Sequence, residues 1–396
     1  MSESPSFLMP NYQRQPLVFA MGEGAWLWDP QGNKYLDALS GVAVTALGHA
    51  HPKLTQAISH QAKRLMHTSN IFRIELQEQL AAKLCALSGM QSVFFCNSGT
   101  EANEAAIKLA RLYAHNRGVR NPEIVVMENA FHGRTLAALA ATGNDKIKLG
   151  FDPLPTGFLR VPYGDLLAVH NLRRRNIVAV LVEPVQGEAG VNVPPEGYLT
   201  GLRKLCSERG WLFMLDEIQT GMGRTGQWFG FQHEKALPDV MTLAKGLGGG
   251  FPIGACLAAG AAAQVFGPGT HGSTFGGNPL ACRAALAVTE VIEQDQLCAN
   301  AAEMGARILA KLREGLQGHS GVVEIRGKGL MIGVELDRPC AELVGQALEK
   351  HLLINVTADK NIRLLPPLIL NRKEADQIAD TVIELVKAFL AAKTGD

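Results

Sequence analysis

Between about residues 55 and 290 two kinds of apolar pattern alternate along the chain. Short continuous runs occur at Ser92–Cys96, Ile124–Glu128, Val178–Glu183, Leu212–Asp216, Val240–Ala244 and Ala255–Ala259. Between them lie longer stretches whose apolar residues recur at three- and four-residue spacing. The runs are too short and too continuous for surface helices, so they read as strands buried on both faces, with the intervening stretches as covering helices. That alternation predicts a mostly parallel sheet in an α/β domain. Before it, "GAWLWD", a Pro30-Gln31-Gly32-Asn33 turn and "KYLDAL" predict a hairpin. After it, a helical pattern leads to "LMIGVEL", "NIRLLPPLIL" and an amphipathic helix from Lys373 to Lys393. The pattern divides the chain into an N-terminal segment of a small domain (1–54), a large domain (55–295) and a C-terminal part of the small, α+β domain (296–396).

Composition narrows the function classes. The 396 residues suffice for two domains and carry a formal net charge of +1, with no basic field to gather nucleic acid or anionic lipid. No apolar run is long enough to span a bilayer. The seven cysteines are odd in number and none are paired as CxxC, so neither a disulfide framework nor a metal centre is expected. His49 and His51 in "GHAHP" lack a third ligand nearby and read as a turn before a helix beginning at Pro52. The start "MSESPSFLMP" lacks the basic and apolar regions of a secretory leader, which leaves a cytoplasmic enzyme as the expectation.

The chemistry sits at the ends of the apolar runs. One ends in Asp216 and Glu217, with Gln219 just beyond; another ends in Ala244 and Lys245, followed by "GLGGGFPIG". Open α/β sheets bind ligands at the carboxyl ends of their strands. A carboxylate and an amine buried at one such edge each cost several kcal/mol, on the order of a desolvated ion, without a partner. A pyridine-ring aldehyde cofactor satisfies both, its nitrogen facing Asp216 and its aldehyde facing Lys245. A desolvated lysine becomes a nucleophile and a proton carrier, whereas an ordinary surface lysine stays solvated. The run "SVFFC" feeds Ser98-Gly99-Thr100 at the start of a helix, a seat for a phosphate or a plain N-cap. "HGSTFGGNP", with Ser273 and Thr274, is a second phosphate candidate or a surface loop. Phe131 reads as a ring-stacking or core residue, and Arg134 as a carboxylate clamp or a surface cation. Glu183 and Glu188 end a further strand, and Arg363 is an isolated cation in apolar surroundings that requires an acidic partner or an anion. Gly221, Gly223 and Gly226 match GxGxxG, but five residues separate them from their strand and no clean helix follows, which argues against a dinucleotide site.

Taken in order, "NSGTEANEAAIKLAR", "FHGRT", "VEPVQGEAG", "DEIQTGMGRTG", "LAKGLGGGFPIGA" and "STFGGNP" resemble the class III (ω-amino acid) aminotransferases, which depend on pyridoxal 5′-phosphate. The resemblance covers nearly the whole chain. It implies the aspartate-aminotransferase-like fold, fold type I, with a seven-stranded mostly parallel sheet, in a homodimer whose active site is shared between subunits. It implies Lys245 on the cofactor aldehyde, Asp216 on the pyridine nitrogen, Gln219 near the ring hydroxyl and Phe131 stacked on the ring. Ser98, Gly99 and Thr100 would bind the phosphate together with Thr274 of the partner subunit. Arg134 and Ser273 would contact substrate. Glu188 would neutralise Arg363 while an ω-amino substrate is bound and release it to clamp the α-carboxylate of glutamate or 2-oxoglutarate. Within the family the likeness points to members acting on N2-acetylornithine in arginine biosynthesis. Val42 stands where ornithine-specific members tend to carry a tyrosine, which favours an N-acylated ornithine. Succinylornithine, succinyl-diaminopimelate, free ornithine and 4-aminobutyrate stay open as donors. An aminomutase, a nicotinamide dehydrogenase and a non-catalytic binding protein are the alternatives outside the activity.

Overall fold

The computed structural model describes residues 7–392. Its centre is a seven-stranded sheet in the order Ser92–Cys96, Gly254–Ala258, Val240–Leu243, Leu212–Asp216, Ile177–Val182, Glu123–Met127, Phe158–Val161. All strands run parallel except Gly254–Ala258, which is antiparallel to both neighbours. The exception follows from chain length. Only the loop Ala244–Ile253, with a single short 3₁₀ turn, separates it from the strand before. A parallel return needs a crossover of a dozen residues or more. The sheet interior is apolar throughout: Ile177–Val182 and Leu212–Asp216 are buried along their whole length. That is the pattern of a sheet covered on both faces.

The strand Phe158–Val161 was not expected from the sequence. It lies at the sheet edge, is partly exposed, and carries Arg160 in its middle, so it lacks the continuous apolar run that marks the others.

Two smaller sheets complete the structure. Met21–Glu23, Trp26–Trp28 and Lys34–Asp37 form an antiparallel ribbon joined, in parallel, by Leu352–Leu353 from the far end of the chain. Val322–Lys328, Met331–Leu336, Asn361–Leu364 and Asn355–Thr357 form an antiparallel sheet in that order. The helix Leu297–Gly315 packs on this sheet and Arg372–Ala392 packs on that helix; Ile308, Leu312, Ile378, Val382 and Val386, all fully buried, belong to the apolar core they share. The expected terminal residue Lys393 lies outside the described residues. Among the described residues no helix is long and apolar enough to cross a membrane, and no cluster of His, Cys, Asp and Glu is placed to hold a metal ion.

Candidate active site

Five of the parallel strands end at one edge of the large sheet, and there a cavity of about 390 Å³ opens. Ser98, Gly99, Thr100, Phe131, Arg134, Glu188, Asp216, Gln219 and Lys245 all line it. Residues up to 147 positions apart in sequence thus reach one space because each lies at the carboxyl end of a strand or in the loop that follows it.

The helix Gly99–Asn116 begins at its wall. Ser98, in extended conformation, is the N-cap: its Oγ accepts from the amide of Glu101 at 3.3 Å, and Glu101 Oε2 reaches back to Ser98 Oγ and the Asn97 amide, each at 2.9 Å. This reciprocal cap fixes the helix start. The first-turn amides of such a helix lack intrahelical acceptors and favour an anion. A Cβ on Gly99 would lie 2.9 Å from the Ile218 side chain, so glycine is required for the approach. Gly133, at φ +133°, packs directly on the Thr100 side chain, and Thr100 Oγ1 is 2.8 Å from Thr135 Oγ1.

Asp216 is buried and held from two sides. His132 Nδ1 and Asn103 Nδ2 each lie 2.8 Å from its Oδ2. An ionised carboxylate only accepts, so the His132 ring is oriented with its proton on Nδ1. Asn103, wholly buried, donates also to the His132 carbonyl at 2.7 Å and accepts from the Thr242 hydroxyl at 2.8 Å. The Ile218 amide donates to Asp216 Oδ1 at 3.1 Å. Sequence reading missed Asn103. Its signal was one polar residue on a buried helical face of Ala102, Ala105, Ala106 and Leu109.

Lys245 follows its strand in the left-handed region, φ +42°, an uncommon conformation for a residue with a side chain. Burial lowers its amine below the ordinary value, and Arg363 adds to the effect against Glu188, Asp216 and Glu183. Gln219 Oε1 is buried with no hydrogen-bond partner, and Gly187 packs so closely on this amide that no Cβ could be accommodated. Phe131 donates its amide to Glu183 Oε1 at 3.0 Å and its ring lies 5.9 Å from the exposed Arg134 guanidinium. Burial pushes Glu183 up to about 7 against the counteracting pull of His132. Arg363 is 1% exposed, and Nη1 meets Glu188 Oε1 at 2.7 Å; the buried cation has its carboxylate.

Ser273 and Thr274 do not reach this cavity. They line a neighbouring hollow with His271, Glu101 and Glu104. Ser273 Oγ caps the Gly276 amide and Asn70 holds the loop at the Ser273 and Gly276 carbonyls. The GxGxxG segment forms a turn, not a helix start. Its Arg224, buried, donates to the Leu330 carbonyl at 3.0 Å and to that of Pro366, and burial lowers it to about 9. It ties the large sheet's loop to segments flanking the strands Met331–Leu336 and Asn361–Leu364. His49 bonds Asp37 Oδ2 at 2.8 Å, and Asp37 Oδ1 caps the amides of Leu39 and Ser40. Those caps support a left-handed turn in which Ser40, Gly41, Val42 and Ala43 all have positive φ, at a cost of roughly 1–2 kcal/mol for each residue with a side chain.

An amine and a carboxylate facing one cavity beside a capped helix start can hold an anionic aromatic aldehyde. Residues 8–386 match the family model for aminotransferase class III.

This chain belongs to the class III aminotransferases.

The class III chain is 56% identical over 390 residues to an acetylornithine aminotransferase of Nitrosomonas europaea, covering 98% of this chain and 99% of that one. Among solved structures it is similar to an ornithine aminotransferase of Toxoplasma gondii described with partial occupancy of PLP at its active site (TM-score 0.94, 35% identity, 96% and 92% of the two chains covered). It is also similar to an acetylornithine aminotransferase of Elizabethkingia anophelis (TM-score 0.86, 35% identity, 96% of each chain). The α/β architecture is the fold type I arrangement of this family.

Proposed function

We propose that this class III aminotransferase moves the ω-amino group of N2-acetylornithine to 2-oxoglutarate, giving N-acetylglutamate 5-semialdehyde and glutamate, a step of arginine biosynthesis, with pyridoxal 5′-phosphate as cofactor. The observation that carries the reading is the cavity itself, with Lys245 and Asp216 on its walls and the buried Arg363 paired to Glu188 beside them. The residues fit the cofactor: the helix start at Ser98 suits its phosphate, and the partnerless Gln219 Oε1 suits its ring hydroxyl. When bound, the cofactor supplies an aldehyde for the amine and a ring that takes up the electron pair left by a departing carbon-bound proton.

The chain's own residues divide the remaining work. Ser98, Gly99 and Thr100 hold the phosphate. Asp216, immobilised by His132 and Asn103, would keep a proton on the ring nitrogen, and Phe131 would offer its ring as a stacking surface. Lys245 would hold the aldehyde, and its Nζ would take up and return the proton of the substrate carbon, helped by the burial that weakens its own grip on protons. Arg134 binds a substrate carboxylate. Glu188 covers Arg363 for the ω-amino donor and uncovers it for the α-carboxylate of glutamate. Val42, packed with Val185, Val191, Met331 and Leu365, presents no hydroxyl to a free α-amino group, which supports an acylated donor.

The working unit in this reading is a homodimer. Leu65, Met66, Ile71, Phe72 and Phe275 are exposed on one side, next to Thr274, a large apolar surface for a soluble monomer. Pairing there would present Thr274 of the partner subunit to the phosphate. All seven cysteines are free thiols, in keeping with a reducing, cytoplasmic setting. The test is a panel of amine donors with 2-oxoglutarate. The reading expects the highest kcat/KM for N2-acetylornithine; a preference for ornithine or 4-aminobutyrate overturns the choice of donor, and turnover without an oxo acid overturns transamination.

A further inference from the structure

Arg326, Gly333 and Arg363 are directly paired across three adjacent strands of the small antiparallel sheet, Arg326 opposite Gly333 and Gly333 opposite Arg363. Directly paired residues project from the same face. Two guanidinium groups therefore stand in one row with a side-chain gap between them. The segment Gly187–Val191, which carries Glu188, lies in that gap: a Cβ on Gly333 would sit 2.9 Å from the Gly190 carbonyl oxygen and 3.1 Å from the Val191 Cβ.

Arg326 engages the far end of this segment. Nε donates to the carbonyls of Gly190 at 3.2 Å and Val191 at 3.1 Å, and Nη2 donates to the Gly190 carbonyl and to Asn361 Oδ1, both at 2.8 Å. Nη1 is neutralised by Glu324 at 2.7 Å and Glu335 at 2.6 Å. Asn361 opens the strand that carries Arg363, and its side chain abuts Gly190, where φ is +108° and a Cβ would come within 2.6 Å. The Thr357 hydroxyl bonds the Glu188 carbonyl. So the backbone from the Glu188 carbonyl to Val191 is fixed to the sheet that holds Arg363, leaving the Glu188 side chain as the part that can exchange partners.

We infer that Arg326 is a positioning residue for the Glu188–Arg363 pair: it anchors the Glu188 segment so that the carboxylate covers Arg363 when an ω-amino donor binds. The inference rests on the function proposed above and adds a residue to it. A merely structural arginine would, on removal, weaken both half-reactions alike. A positioning residue would weaken only the one that needs Arg363 covered.

The experiment measures the two half-reactions of the holoenzyme separately by rapid-mixing absorbance, with N2-acetylornithine and with glutamate. In Arg326→Gln the apparent Kd for N2-acetylornithine is expected to rise about tenfold while that for glutamate changes less than about threefold. Added to Glu188→Ala, the same substitution is expected to have little further effect, because both remove one coupled function. Equal losses in both half-reactions, or effects that multiply in the double variant, overturn the inference. Gly333→Ala, which wedges the same segment from the opposite side, is expected to reproduce the signature and serves if Arg326→Gln does not fold; equal losses there overturn the inference too. Wild-type enzyme separates this from the functional reading. If it takes amine from another ω-amino donor in place of N2-acetylornithine, the donor assignment fails, and the two half-reactions are compared with that donor under the same criteria.

Discussion

Glu217 follows Asp216 directly but its side chain turns away from the cavity into the protein, 1% exposed. Its carboxylate accepts from the Gly230 and Phe231 amides, both at 2.9 Å, and from the Thr220 hydroxyl. Burial nonetheless pushes it from an ordinary 4.5 up to about 7, the three donors only partly opposing the effect. A carboxyl group whose folded-state value is raised binds its proton more tightly folded than unfolded. Its contribution to stability is therefore greatest below 4.5 and is lost as pH rises toward 7. The full loss is on the order of 3 kcal/mol at ~1.36 kcal/mol per pH unit, and most of it falls between pH 5 and pH 8. Glu217→Gln carries no such proton. Any fixed penalty from facing an amide group toward two backbone N–H donors is the same at every pH. Urea denaturation of both proteins at equal protein and cofactor concentrations should show the variant gaining roughly 2–3 kcal/mol on wild type from pH 5 to pH 8. A difference that stays flat, or one that moves in favour of wild type as pH rises, refutes the argument. The second outcome would mean that the three donors outweigh desolvation.

Asn103→Ala removes three hydrogen bonds and orphans the Thr242 hydroxyl and the His132 carbonyl; it should cost about 3 kcal/mol in thermal denaturation and lower kcat at least about tenfold through a loosened Asp216. Gly133→Ala drives a methyl group into Thr100, and equilibrium dialysis should find cofactor affinity reduced about tenfold with the KM for the amine donor little changed. Val42→Tyr places a hydroxyl beside the substrate segment and should raise kcat/KM for free ornithine relative to N2-acetylornithine in steady-state assays.

Much of the fold could be read from apolar periodicity, because a sheet covered on both faces imposes continuous apolar strands wherever it passes. The charged ends of two such strands, Asp216 and Lys245, were legible for the same reason: charge directly after a buried run is costly and so informative. The edge strand Phe158–Val161 was illegible because an edge needs no continuous apolar run. The reversal at Gly254–Ala258 follows from the loop length before it. Arg363 announced its need for an anion without naming it; the family resemblance implied Glu188, and the fold brings that residue, 175 positions earlier, onto the guanidinium. His132 and Asn103 on Asp216, Arg224 on the Leu330 and Pro366 carbonyls and Arg326 on the Glu188 segment all depend on long-range packing, which local sequence pattern does not encode.

Lys245, and no other lysine, is proposed to bond the cofactor aldehyde. Borohydride reduction of the holoenzyme, proteolysis and mass spectrometry test it directly. The pyridoxyl mass is expected on the peptide containing Lys245, and is expected to be lost in Lys245→Ala. The mass on a different lysine, or on none, would contradict it.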